Sequence, residues 1–412
     1  MSDQPQPGGQ ESPSSPVSSA STSIAVGSTP EEDLYALAGH ARRSPSAAPT
    51  SSSSSSSRPA GGGGGSGGPS STAATGMPGS FISSASNPSE AAAHAAHAAF
   101  MLFDSNMSNY PASMSSSIRQ HVYEGGLRYH AFRDGKYAFP NDDVEQNRDD
   151  MKHTMTIMLC RGKHFYAPVE ERLREGGKCL DLGTGTGIWV IEVGEAYPNA
   201  TITGLDLSPI QPNYVPENVH FFVDDFEEEW LDPDDTFDFI HIRHTIHSIR
   251  DRATLLSRAY RHLKPGGYLE IQELHYFPQC DDASVTPAVP YAFRDFMGFL
   301  DQGLRALGSE LNAIVKVPEE MADAGFEDVQ VVQHKCPIGV WPRDKRMRLC
   351  GLFLRTAIMD GLRGLSKRPF GTGLGWTQLQ IEMFLVDVRK SVMDNQYHTY
   401  FPLHIVYGRK PL

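Results

Sequence analysis

The 412-residue chain carries 49 Asp and Glu against 36 Lys and Arg, a formal net charge of −13 with no basic stripe, which excludes direct binding to duplex nucleic acid as an expectation, since such binding draws on cations set against phosphates. Five scattered cysteines (Cys160, Cys179, Cys280, Cys336, Cys350) form no C-x-x-C pair, so neither a disulfide framework nor a zinc site is expected. No stretch is long and apolar enough to cross a bilayer and no signal-peptide core is seen, so a soluble, intracellular protein is the expectation.

Residues 1–118 are rich in Ser, Pro, Gly and Ala, with a serine run at 51–57 and a glycine run at 61–65. Hydrophobic periodicity is nearly absent there, so burial would not offset the entropy of ordering the backbone, and a disordered low-complexity tail is expected. Arg42, Arg43 and Arg58 face seven acids in this tail. An alanine-rich piece at 90–103 is read either as low complexity or as a transient partner-binding helix. One folded domain is expected over 119–412.

Residues 129–140 are aromatic and turn-rich. They lead into Asn141, expected as an N-cap, with Asp142, Asp143 and Glu145 in the following turn. Met151, Met155, Met158 and Leu159 then mark one face of a helix. The segment 123–165 is expected to fold as a lid over a cleft, with the hydroxyls of Tyr129 or Tyr137 turned toward a ligand carboxylate. The competing reading is that these aromatics only pack the helix onto a sheet.

Next comes Lys178-Cys179-Leu180-Asp181-Leu182-Gly183-Thr184-Gly185-Thr186-Gly187-Ile188-Trp189, an apolar strand, a G-x-G-x-G turn and the start of an amphipathic helix running to about Tyr197. A nicotinamide site wants G-x-G-x-x-G, which would place its third glycine at Ile188, and it holds a pyrophosphate. Here the third glycine comes one residue early, and Asp181 would repel a diphosphate. A cationic ligand with an amine and a sulfonium suits the spot, and S-adenosylmethionine is such a ligand. Asp181, Gly183, Thr184, Gly185, Thr186 and Gly187 are therefore candidate cofactor contacts. A second strand at 201–206 ends in Asp206, 19 residues past Gly187, near the spacing at which a carboxylate meets ribose hydroxyls; Leu207 adjoins it. A third run, 218–223, stops at Asp224-Asp225-Phe226, where Asp225 and Phe226 suit an adenine amine and face.

A fourth strand is expected at 236–243, a helix at 252–263, a stop-and-turn at 264–267 and a fifth strand at 268–273. Strands alternating with helices at this pace predict an α/β fold with an open, mostly parallel sheet. The ends of strands four and five face the cleft of such a sheet, so His244 is the leading candidate for a general base, ahead of His247, Glu273 and His275. His241, His244 and His247 recur every three residues, but strand geometry turns His241 and His244 to opposite faces, so no metal is expected. Helices follow near 291–307, 318–326, 345–361 and 376–393, with strands at 328–334 and 400–407. The last strand is expected to insert antiparallel at a sheet edge. The intervening regions form a helical cap, and the cluster at 343–348 reads as a solvated helix start rather than a nuclear-import signal.

The 129–140 segment with its acidic helix, the 181–189 loop, Asp206-Leu207-Ser208-Pro209-Ile210-Gln211-Pro212, and the terminal Leu403-His404-Ile405 and Arg409-Lys410-Pro411 resemble the fungal LaeA-type methyltransferases over residues 123–412. The resemblance implies a class I methyltransferase fold, Rossmann-like, with a cofactor-binding core at 177–276 and a cap with C-terminal strands at 277–412. It also implies S-adenosylmethionine as cofactor, control of secondary metabolism and development in the nucleus or cytoplasm, and velvet-domain proteins as partners. The matching family positions are the glycine loop, Asp206 and Asp225-Phe226. Two other functions stay open: a biosynthetic enzyme methylating a small metabolite, and a non-catalytic scaffold. A discrete apolar pocket under the 277–317 region would favour a small acceptor, and a shallow open cleft a macromolecular one.

Overall fold

A computed structural model describes residues 121–412. The tail expected at 1–118, with its alanine-rich helix, lies outside the described residues. The first element is a hairpin of β1 (His121–Glu124) and β2 (Leu127–His130). Gly125 and Gly126 between them both take positive φ, the geometry that matches the twist of a two-residue hairpin turn.

The central sheet contains β3 (Lys178–Leu182), β4 (Thr201–Asp206), β5 (Val219–Val223), β6 (Phe237–Arg243), β7 (Leu263–Leu274), β8 (Gln279–Cys280), β9 (Glu327–Pro337) and β10 (Thr399–Arg409). Its order is β5-β4-β3-β6-β7-β10, with β8 and β9 both paired to β10. The five strands from β5 to β7 run parallel, and the near-continuous burial of β3 and β6 at the centre suits strands covered on both faces. The chain leaves β3 to one side for β4 and returns to its other side for β6. That reversal opens a crevice beyond the carboxyl ends of the strands, where open α/β sheets bind ligands.

Two expectations about strands need correction. Residues 264–267 do not end a helix and turn into a new strand; they sit inside β7 as a bulge. Phe237 pairs with Leu263 and Phe239 with Tyr268, the extra residues being taken up around Gly266 at φ 72. The last strand is antiparallel as expected, but it is not at an edge. It pairs with β7 on one side and with β9 on the other, because its run Thr399 to Val406 is buried throughout and needs cover on both faces and both edges.

Helices α1 (Asp143–Leu159), α2 (Glu170–Arg174), α3 (Ile188–Ala196), α4 (Arg252–His262), α5 (Ala292–Ala306), α6 (Val317–Asp323), α7 (Lys345–Arg368) and α8 (Gln378–Met393) complete the fold. The cap of α1 is Asp142, which accepts from Glu145 N at 3.1 Å. Asn141, expected there, instead donates to Ser208 Oγ at 3.1 Å and accepts from Arg128, so it ties this segment to the turn after β4. Helix α7 continues past Gly361 to Arg368. Its glycines are not stops: a Cβ at Gly361 would lie 2.6 Å from Arg148, and one at Gly364 2.9 Å from Pro140. Arg346, expected in solvent, donates to the Met158 and Leu159 carbonyls, a cation placed at the C-terminal end of α1.

Three apolar clusters hold these layers. One lies between β6, β7, α4 and α6, and another packs α3 under β3 and β4. The largest joins α1, α5, α7 and α8 to Phe401, Leu403 and Ile405 of β10. The helical cap is thus fastened to the sheet through its last strand. Among the described residues no helix is long and apolar enough to cross a membrane.

Candidate functional site: a glycine turn between two cavities

At the end of β3 the chain folds back on β4. Gly183 N and Thr184 N both donate to the Leu205 carbonyl at 2.9 Å. Gly185, at φ 58, then donates its N–H to Asp206 Oδ2 at 2.8 Å, while Asp206 Oδ1 accepts from Ser208 N at 2.8 Å. A side chain at Gly185 would strain this backbone and head toward Asp149 across the cleft. Gly187 has another duty. It precedes α3 at φ 81, and a Cβ there would collide with the Phe221 ring at 2.4 Å. Thr186 Oγ1 donates to Asp150 Oδ1 at 2.7 Å and fastens the turn to α1.

The cleft over this turn spans roughly 1130 Å³ with its opening to solvent included. One wall comes from α1 and the segment before it, through Tyr137, Asn141, Glu145, Asp149 and Lys152. Asp181 lies on the floor, where His241 Nδ1 meets its Oδ1 at 2.7 Å. His241 in turn lies flat on Trp189, the ring centres 3.7 Å apart. Burial lowers the His241 pKa, so the neutral ring donates its Nδ1 proton to Asp181. At the mouth, Asp225 Oδ2 sits 2.5 Å from Lys136 Nζ, which also reaches Glu227 at 3.4 Å. Asp206 is pushed up to about 6 by desolvation, against the pull of its two backbone N–H donors.

The residue types gathered here are compatible with S-adenosylmethionine: the carboxylates of Asp181, Asp206 and Asp225 and the ring of Phe226 line one cleft, the chemistry that an amine, ribose hydroxyls and an adenine would require. Two buried polar atoms, Arg243 Nη1 and Thr184 Oγ1, have no hydrogen-bond partner among the described residues. A guanidinium left open inside a cleft is a ready contact for a carboxylate.

A second space of about 590 Å³, its opening to solvent included, lies beneath the cap, walled by Phe139, Leu274, Tyr276, Phe293, Met297, Leu354, Ile358 and Phe401. Tyr137 and Lys152 border both spaces, so the two meet there. Along their common edge Glu273, fully buried, receives His244 Nδ1 at 3.2 Å and His247 Nδ1 at 3.1 Å. Burial alone would raise the Glu273 pKa, but the two imidazole hydrogen bonds hold it down to about 2. His244 has φ 55, and burial lowers its pKa to about 4, so at neutral pH its ring is uncharged.

The cleft collects Tyr137, Asp181, Gly183, Thr184, Gly185, Thr186, Asp206, Leu207, Asp225, Phe226 and His244. Gly187 stays outside as a packing position. Tyr129, expected to offer a hydroxyl to the ligand, is wholly buried elsewhere. Its ring lies 3.8 Å under the Arg368 guanidinium, because Arg368 also bonds Glu124 and Asp134 and so draws the hairpin onto the end of α7. Sequence reasoning missed Asp149, Lys152 and Arg243. A signal was present: Glu145, Asp149 and Lys152 recur at i, i+4, i+7 on the helix face away from the methionines, and Arg243 ends a strand that points at the cleft.

A glycine turn at the reversal point of a sheet whose last strand runs antiparallel is the class I methyltransferase arrangement, and such an enzyme uses S-adenosylmethionine as its methyl donor. A family model described as a methyltransferase domain matches residues 151–312. Methyltransferase pytC of Aspergillus terreus is 36% identical over 304 residues, covering 73% of this chain and 91% of that protein. Protein-methionine methyltransferase laeA of Emericella nidulans is 33% identical over 306 residues, 73% of this chain and 79% of its own length. Secondary metabolism regulator laeA of Aspergillus flavus is 33% identical over 300 residues, 72% of this chain and 79% of its own length. The chain belongs to the LaeA-type methyltransferase family.

Proposed function

We propose that this enzyme methylates a small, largely apolar acceptor in the service of fungal secondary metabolism. The observation that carries this reading is the aromatic-lined cavity beneath the cap, adjoining the cofactor cleft at Tyr137 and Lys152. A shallow open groove would suit a protein chain; this space suits a compact molecule buried on most sides. The bound cofactor supplies an electrophilic methyl group on a sulfonium. The chain supplies position and dryness: the turn at Gly183 to Gly187 and the carboxylate of Asp206 orient one reactant, and the cap helices hold the other out of water.

A regulatory role is the second reading. It is supported by the family resemblance and by relatives named as secondary metabolism regulators; it carries with it velvet-domain partners and a nuclear or cytoplasmic place of action. A regulator acting on a small molecule would satisfy both readings. The test is to incubate the purified chain with methyl-labelled S-adenosylmethionine and an extract of the source organism, then separate small molecules from protein. Label in the small-molecule fraction is the expected result. Label confined to protein would overturn the small-acceptor reading.

A further inference from the structure

We propose that the apolar cavity accepts a ring-bearing hydroxyl compound, a phenol or enol, and that His247 takes the hydroxyl proton from it, held in place by Glu273 as a positioning residue. This assignment deepens the small-acceptor reading and rests on it.

His247 is buried, and its Nδ1 lies 3.1 Å from Glu273 Oε2. An ionised carboxylate only accepts, so Nδ1 carries a proton toward Glu273, and in the uncharged tautomer Nε2 presents a bare lone pair. That Nε2 is buried and has no partner among the described residues, while the ring lines the apolar cavity. A buried acceptor left unpaired is destabilising, and a donor hydroxyl arriving in the cavity would relieve it. His244 shares the Glu273 contact but differs in the other two respects. It lines the cofactor cleft, and its Nε2 is 3.4 Å from Thr156 Oγ1. Of the two imidazoles on Glu273, only that of His247 opens onto the space beneath the cap.

The surroundings select the acceptor class. The rings of Phe139, Tyr276, Phe293 and Phe401 line the walls, so a flat ring is favoured over a sugar or a peptide. A thioether has no proton to lose and a carboxylic acid is already ionised at neutral pH; neither would use a bare imidazole. A ring hydroxyl does. As its oxygen bonds to the methyl carbon, the carbon–sulfur bond breaks with its electron pair staying on sulfur. The O–H proton passes to His247 Nε2 and the O–H electron pair stays on oxygen. The products are a methyl ether, a neutral thioether and an imidazolium beside Glu273. The charged groups near this ring are already matched: Arg148 is paired with Glu145 and Lys152 with Asp149, and burial holds the Tyr137 and Tyr276 hydroxyls protonated well above their ordinary range.

The probe is 2-naphthol, whose naphtholate absorbs at longer wavelength than the neutral form, titrated into the full chain with and without S-adenosylmethionine. Saturable one-to-one binding is expected, with ionisation of the bound naphthol at lower pH than in water. Met297→Trp, which fills the cavity, should abolish naphthol binding, with cofactor binding by calorimetry showing that the variant is folded. His247→Asn should keep naphthol affinity within about threefold, lose the naphtholate band, and slow label transfer into small molecules by about 10²–10⁴. Glu273→Gln should lower kcat and shift its pH profile while leaving KM in place. Absent or cavity-independent naphthol binding, or undiminished label transfer by His247→Asn, would overturn the assignment. Label confined to protein would overturn the small-acceptor reading and this assignment together; labelled small molecules with a fully active His247→Asn would overturn this assignment alone.

Discussion

Asp206 holds the glycine turn together and also lines the cleft. Each of its oxygens already accepts one backbone N–H, from Gly185 and from Ser208, and each keeps a lone pair for a ribose hydroxyl. Charge-assisted hydrogen bonds contribute about 1.5–3 kcal/mol each. Asp206→Asn should therefore raise the Kd for S-adenosylmethionine by about 10–100-fold in calorimetry, a factor of ten being about 1.4 kcal/mol. Desolvation raises this carboxyl to about 6, so in the free enzyme it takes up a proton as pH falls through that value. The ligand needs the ionised form. Affinity should accordingly hold from pH 8 to about 6.5 and then fall, by up to about tenfold per pH unit, with a proton released on binding below pH 6. In Asp206→Asn that acid limb should vanish; its persistence would place the titrating group elsewhere.

At the scale of elements, the glycines of the cap separate two situations. On α7, a Cβ at Gly351 would lie 1.9 Å from the Gly339 carbonyl oxygen, so the helix can rest on that loop only without a side chain. On α5, Gly298 has nothing within 4 Å of such an atom. Gly351→Ala should destabilise by about 1–3 kcal/mol despite the better helix former, whereas Gly298→Ala should stabilise by about 0.5–1 kcal/mol. Denaturant unfolding of the two variants should move the midpoint in opposite directions. The same residues explain what was legible in the sequence. The strands showed themselves as apolar runs ending in acids, and β4 begins and ends at the residues expected from its pattern. Helix α7 ran past its expected end because Gly361 looks like a terminus locally, while its purpose is a close approach to Arg148. The glycine turn is local, and its lining role could be read from one stretch of chain. Tyr129 was misplaced because its partner, Arg368, is far off in sequence, and the apolar cavity gathers side chains from residue 137 to residue 401, which no window of sequence brings together.

Across the molecule, β10 belongs to both the sheet and the cap. It pairs with β7 through Leu403 to Arg409 and with β9 over most of its length, and its Phe401, Leu403 and Ile405 belong to the cluster that seats the cap helices. Ile405→Asp places a carboxylate at a fully buried position and should cost several kcal/mol, enough to unfold a domain of ordinary stability. Val331→Lys on β9, where the side chain is 43% exposed, should stay within about 0.5 kcal/mol. Thermal unfolding and cofactor binding would check the pair: loss of both in the first variant and of neither in the second is expected.

The position of β10 also bears on how the chain is built by the ribosome. Strands β3 to β7 emerge in an order that lets each meet a neighbour already made. After them β9 is translated without its strand partner, and the aromatic chamber still lacks Phe401. Until residues 399–409 clear the exit tunnel, the nascent chain must shelter these apolar surfaces some other way. The aromatic chamber is therefore closed only after the glycine turn at 183–187 has long been made.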